Sequence, residues 1–160
     1  MTSITIHPIA HVQNSRRDMR DDYWGGVLSR ITLGPDVPPE TLDGIDQFSH
    51  VEILFHFHKL DDVSIARNAS SSHPRNNPDW PQVGIFAQRK KRRPNGLGLT
   101  IARVEKREGP NLFVSELDAE DGSPVFDIKP VMREFLPQAE VAQPAWCSEL
   151  MKSYWSFPGE

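Results

Sequence analysis

Val51, Ile53, Phe55 and Phe57 stand at every second position of Phe48–His58, and His50, Glu52, Leu54, His56 and His58 occupy the alternate positions. Successive side chains on an extended backbone point to opposite faces, so this stretch predicts a strand with one apolar face and one mostly polar face. The polar face either meets solvent or lines a site. Other β-rich stretches accompany it: Ile4–Val12, Trp24–Leu33, Val83–Gln88, Leu97–Glu108, Asn111–Leu117 and Val125–Ile128. Gly109–Pro110 and Asp121–Gly122 mark turns between strands. Helical signals are few. Pro38–Leu42 suits a short helical turn, because proline is tolerated in a first turn. Ala145–Tyr154 suits a short amphipathic helix, with Trp146, Leu150 and Tyr154 spaced four apart. Seven short strands with few helices predict a mainly β, single-domain, closed or nearly closed β-barrel over residues 1–136, with a C-terminal tail over 137–160. There is no βαβ alternation, and Gly96–Leu97–Gly98 leads into a strand rather than opening a helix, so the chain does not read as a Rossmann domain.

A chain of 160 residues is long enough for one domain with a real core. Its single cysteine, Cys147, excludes an internal disulfide and a multi-cysteine metal cage. No stretch has the roughly 18 apolar residues of a membrane span. Met1–Thr2–Ser3–Ile4 lacks the basic and apolar regions of a signal peptide. These features fit a cytoplasmic, reducing setting without a membrane partner. The net charge of −4 argues against a general nucleic-acid coating role. Charge distribution is more telling: five of the 18 basic residues are consecutive, from Arg89 to Arg93, and Arg103, Lys106 and Arg107 follow. One concentrated basic patch on an acidic protein attracts a polyanion locally.

The segment Val83–Thr100 runs from a strand into this basic loop and closes on Pro94–Asn95–Gly96, a strong turn signal. Proline and glycine there fix a sharp path and let a ligand approach the backbone. Pattern alone also fits an ordinary basic hairpin loop. The long polar stretch Asp61–Pro81 exceeds the usual connection length, which marks a functional or disordered loop.

Three blocks in order carry a resemblance. Gly84–Ile85–Phe86–Ala87, Arg93–Pro94–Asn95 and Gly98–Leu99 form one, and Gly44–Ile45, Phe48–Ser49–His50, Ile53–Leu54–Phe55 and Phe57–His58 form another. The third is Asp121–Gly122–Ser123–Pro124–Val125 with Asp127–Ile128–Lys129–Pro130, and Pro8–Ile9–Ala10–His11–Val12 fits an opening strand. Together, over roughly Ile6 to Phe135, they resemble the TrmO family, also called TsaA-like, of tRNA adenosine methyltransferases. The resemblance implies a single-sheet β-barrel that binds S-adenosylmethionine, pairs as a homodimer, and methylates the exocyclic amine of threonylcarbamoyl-adenosine beside the anticodon of tRNA. It places Phe86, Ala87, Arg89, Arg93, Pro94, Asn95, Leu97, Asp127, Ile128, Lys129, Ser49 and His50 around the cofactor. Asp127 and Asn95 are the expected catalytic residues. Lys90, Lys91 and Arg92 are expected to meet RNA.

The sequence departs from the family pattern at Gly96, where the family has a second proline, which loosens the loop around an intact Arg–Pro–Asn core. The better-known bacterial members carry an additional C-terminal domain that helps hold tRNA, whereas this sequence runs to Glu160 with a short tail. Several alternatives stay open: a same-fold methyltransferase acting on a small molecule or another RNA, a non-enzymatic RNA-binding module, and a metal-dependent hydrolase using His50, His56, His58 and His73. Solvated or hydrogen-bonded strand histidines are the plainer reading, with no metal.

Overall fold

A computed structural model of the chain describes residues 3–60 and 70–159. Among the described residues eight strands run in chain order: β1 Ala10–Gln13, β2 Ser29–Leu33, β3 His50–His56, β4 Ser71–Ser72, β5 Val83–Gly84, β6 Leu97–Glu108, β7 Asn111–Ser115 and β8 Pro124–Pro130. Six of them close an antiparallel barrel in the order β1-β2-β7-β6-β3-β8, with β8 returning to β1 through Ala10↔Val125 and His11↔Pro124. Closure removes the exposed edges an open sheet would present.

The alternation in β3 sets what lies inside. Val51, Ile53 and Phe55 are buried, while His50, Glu52, Leu54 and His56 stay partly exposed on the outer wall. Val12, Ile31, Ala102, Leu112, Val114 and Val125 join them in the core. Phe55 meets Phe57 edge-on at 5.2 Å between ring centroids, a favoured aromatic geometry. Directly across from Phe55 stands Gly98. A Cβ on Gly98 would lie 2.4 Å from the Phe55 ring, so the absence of a side chain there makes room for the ring.

The mainly β barrel expected from the pattern is the observed architecture, but the barrel has six strands, not seven. Val83–Gln88 is the exception. Only Val83–Gly84 is extended, and it pairs with Ser71–Ser72 in a separate two-stranded sheet. Ile85–Ala87 then winds into a 3-10 turn. Ile85 and Gln88, three apart, are both buried, and that spacing belongs to a 3-10 turn rather than a strand. Elsewhere the strands are trimmed. Ile4 and Ile6 precede β1 and are exposed. Trp24 is buried outside β2, beneath the Arg16 guanidinium, which lies 4.3 Å from its ring centroid. Pro39–Leu42 is a 3-10 turn, and the tail helix α1 is short, Ala145–Leu150. Of the polar stretch 61–81, residues 61–69 lie outside the described residues; the rest supplies β4 and a 3-10 turn at Pro74–Asn76.

Candidate active site

The basic loop leaves β5 and is held by its own side chains. Buried Gln88 donates its amide to the Val83 carbonyl at 3.0 Å and the Ser72 carbonyl at 3.1 Å, tying the loop to the β4–β5 sheet. Arg93 Nη1 donates to the Gln88 carbonyl at 2.8 Å and closes the loop on itself. Pro94–Gly96 makes a 3-10 turn in which Asn95 (φ 67°) and Gly96 (φ 57°) are both left-handed. Asparagine and glycine tolerate that region best, which explains the corner's composition. Gly96 is also packed tightly: a Cβ there would lie 3.0 Å from His56 Nε2. Phe86 projects from the preceding turn with 80% of its surface exposed. Ala87 and Asn95 are exposed, whereas Pro94 and Leu97 are half-buried.

Register carries the loop to Asp127. Directly opposed residues share a face, so Leu99 on β6, Leu54 on β3 and Asp127 on β8 form one outward row. Ile101, Glu52 and Lys129 form the next. Arg89 Nη2 donates to the Leu99 carbonyl at 2.5 Å. With strands about 4.8 Å apart, the end of this row at Asp127 is roughly 10 Å from the Leu99 backbone. Asp127 is itself held in place: Oδ2 lies 2.9 Å from Lys129 Nζ, and Oδ1 accepts the Ile128 amide at 2.9 Å. The hydrogen bond from Lys129 to Asp127 and the Asp127 charge raise the proton affinity of Lys129. A register shift between Leu54 and Phe55 marks a bulge where β3 meets β8, and bulges re-aim neighbouring side chains.

Not every residue named from sequence joins this cluster. Ile128 pairs with buried Ile53 and packs against the core, so it offers the site its backbone rather than its side chain. Ser49 and His50 bond each other at 2.8 Å at the far end of β3. His56, the neighbour of Gly96, lies six positions beyond His50, roughly 20 Å along a strand. Within one chain they do not meet the Arg–Pro–Asn corner. The five consecutive cations are also divided. Lys90 Nζ donates to Ser72 Oγ at 3.0 Å, and Arg92 is exposed. Lys91 turns inward, with Nζ 2.8 Å from Glu120 Oε1 and 3.1 Å from the Met19 carbonyl. Glu120 is buried, and Lys59 Nζ stands 3.7 Å from its other oxygen.

Removing one partner of a buried ion pair leaves the other charge unmet. Lys91→Met is therefore expected to lower stability by roughly 2–3 kcal/mol, the remaining Lys59 charge softening a larger loss. Denaturant unfolding would measure this, and Arg92→Gln should leave stability within about 0.5 kcal/mol of the parent, as surface changes do.

Sequence reading missed Gln88, Asp118 and Tyr154. Asp118 accepts hydroxyl hydrogen bonds from Thr100 on β6 and from Tyr154 in the tail. Their only signal would be spatial, since Asp118 and Tyr154 are 36 residues apart. Among the described residues no group of three or more histidine, cysteine or carboxylate side chains converges as a metal site. His73 Nδ1 sits 2.6 Å from the Trp80 carbonyl oxygen. No helix among the described residues is long and apolar enough to cross a membrane.

The molecule is thus a small closed antiparallel barrel whose outer wall carries a carboxylate–ammonium pair beside a tightly cornered cationic loop. It belongs to the tRNA-methyltransferase O N-terminal domain family, whose model matches residues 20–135. A human tRNA (adenine(37)-N6)-methyltransferase is 42% identical over 107 residues, covering 67% of this chain and 23% of that protein. A Pyrococcus abyssi protein named "Probable S-adenosyl-L-methionine-binding protein" is 32% identical over 136 residues, covering 82% of this chain and 70% of that one. The crystal structure of TrmO from Pseudomonas aeruginosa superposes with a TM-score of 0.71 at 27% identity, covering 88% of this chain and 61% of that chain. The chain spans less than a quarter of the length of the human relative.

Proposed function

We propose that the chain binds S-adenosylmethionine and transfers its methyl group to the N6 amine of an adenosine in tRNA, the threonylcarbamoyl-adenosine beside the anticodon. The observation that carries this reading is Arg89 anchored on Leu99 in the row that ends at Asp127, with Arg93 closing the same loop, in a chain of this family.

The residues present match the cofactor in kind. Arg89 and Arg93 suit its carboxylate, because guanidinium makes strong charge-assisted hydrogen bonds to such a group. Asp127 suits the ammonium or a ribose hydroxyl. Phe86, exposed as it is, suits the flat face of adenine. Asn95, Ala87, Pro94 and Leu97 supply the corner's polar edge and apolar walls, and Lys129 holds Asp127 in place. When bound, the cofactor supplies an electrophilic methyl group on a sulfonium.

The acceptor amine is a weak nucleophile, because its lone pair is delocalised into the ring. The chain's contribution is therefore mainly orientation: a rigid corner and a fixed carboxylate hold reactants in line. Asp127, or a water it positions, takes the proton that the amine must lose.

The substrate's phosphates meet Lys90 and Arg92, with Lys91 behind them on Glu120. Arg92→Gln is expected to reduce the salt slope of tRNA binding by about 0.7–0.9, the contribution of one phosphate contact. Filter binding across a salt series measures it.

The reading includes a cytoplasmic homodimer. Leu99 and Ile101 are exposed to 49% and 45% on the outer sheet face, beside the site. A two-fold pairing on that face would bring Ser49 and His50 of one protomer toward the corner of its partner. Mixed dimers of two inactive variants should regain activity if the site is shared.

Calorimetry with S-adenosylmethionine tests the cofactor, and absence of binding at millimolar ligand would sink the proposal. Labelled cofactor incubated with tRNA from a strain lacking the gene tests the acceptor. Nucleoside mass spectrometry should then show the methyl on threonylcarbamoyl-adenosine. Label on another nucleoside, or on a small molecule only, would change the substrate while keeping the cofactor.

A further inference from the structure

The tail does not trail away from the barrel. The backbone amides of Tyr23, Trp24 and Gly25 donate to the carbonyls of Ser153, Tyr154 and Ser156 at 3.0, 2.8 and 3.1 Å. Trp80 Nε1 donates to Glu149 Oε2 at 2.9 Å. The fit is close enough to require glycine: a Cβ on Gly25 would lie 2.5 Å from the Trp155 carbonyl oxygen. This docking delivers the Tyr154 hydroxyl to Asp118 Oδ2 at 2.5 Å. The other oxygen of Asp118 accepts the Thr100 hydroxyl. Thr100 follows Leu99, whose carbonyl holds Arg89.

We infer that Tyr154 is a positioning residue for Arg89: by capping the Asp118 carboxylate it keeps that charge from drawing the Arg89 guanidinium off the Leu99 carbonyl. The inference rests on the reading of Arg89 as a cofactor contact. A carboxylate that accepts two hydroxyl hydrogen bonds has its negative charge satisfied locally. With the tyrosine hydroxyl removed, one oxygen loses its donor in a half-buried setting, and a guanidinium is the strongest replacement donor. Arg89 is a cation within reach, since the Leu99 carbonyl that holds it adjoins Thr100, whose hydroxyl Asp118 accepts, and its charge opposes the rise in proton affinity of the Tyr154 phenol. Burial and then the Asp118 charge raise that affinity far enough to keep the phenol protonated and donating at any physiological pH. The tail thereby becomes part of the site without touching a ligand.

The distinguishing prediction is a rescue. Tyr154→Phe should weaken S-adenosylmethionine binding about tenfold, the scale of one misplaced charge-assisted contact. Adding Asp118→Asn, which removes the competing charge, should recover most of that loss. A brace that acted only by packing would be damaged further by the second change, not repaired. Without ligand, Tyr154→Phe should speed amide hydrogen exchange in residues 88–99, and Asp118→Asn should reverse it. Gly25→Ala, which displaces the tail without touching Asp118 or Arg89, should speed the same amides. Wild-type exchange in Tyr154→Phe, or a double variant no better than the single, would overturn the proposal. Failure of the wild type itself to bind S-adenosylmethionine would instead remove the cofactor role of Arg89, and the exchange comparison would still decide the brace.

Discussion

Replacing Asp127 with alanine is expected to lower kcat/KM for methyl transfer by about 10²-fold or more, the range general-base groups contribute. The expectation follows from how the carboxylate is held. Lys129 and the Ile128 amide fix its orientation on the outer row, while 45% of the side chain remains exposed to a ligand. Fold stability should change little, because an exposed ion pair of this kind is screened by solvent. The kinetic split then assigns the role. A fall in kcat with unchanged KM marks a group used in the transition state, whereas a rise in cofactor KM alone marks an anchor of the ammonium or ribose. Asp127→Asn separates charge from shape: it keeps the amide contact and loses the base. Unchanged kinetics and cofactor affinity in Asp127→Ala would remove the residue from the site.

The largest stability effect is expected at the Phe55–Gly98 contact. Phe55→Ala empties the centre of the barrel and should cost about 3–5 kcal/mol, as large-to-small changes of a buried phenylalanine do. Gly98→Ala attacks the same contact from the other side, pushing a methyl to within 2.4 Å of the ring. It should cost about 1–3 kcal/mol through overpacking. The two changes share one space, so together they should cost less than their sum, since the alanine methyl fills part of the void. Thermal melts of the single and double variants measure this, and strict additivity would show that the ring and the glycine are not in contact. The same variants bear on the site, because Leu99 follows Gly98 and carries the carbonyl that holds Arg89.

Much of the local structure of the candidate site was legible because its signals are local. Leu97–Glu108 forms a strand with the limits its pattern gives. The Arg93–Pro94–Asn95–Gly96 corner was readable because a proline followed by residues that tolerate positive φ specifies a turn within a few residues. The basic run was readable as charge but not as function. Nothing in five consecutive cations says that Lys91 faces a buried carboxylate 29 positions away while Arg92 faces solvent. Val83–Gln88 misled because its composition is β-rich, while its buried positions are three apart.

The sequence by itself determined the alternating strands, their turns, the corner and the family. Each is written in the spacing of neighbouring residues, where side-chain period and turn chemistry act over a few peptide units. Only the tertiary structure decided which strands close the barrel, that β5 stays outside it, that Ile128 turns inward, and that Ser49 and His50 stand a strand's length from the corner. It also decided that a tail tyrosine reaches Asp118 behind the site loop. These facts depend on register and closure between segments far apart in the chain. There the free energy comes from burying one shared core, and no local pattern records which distant partner will complete it.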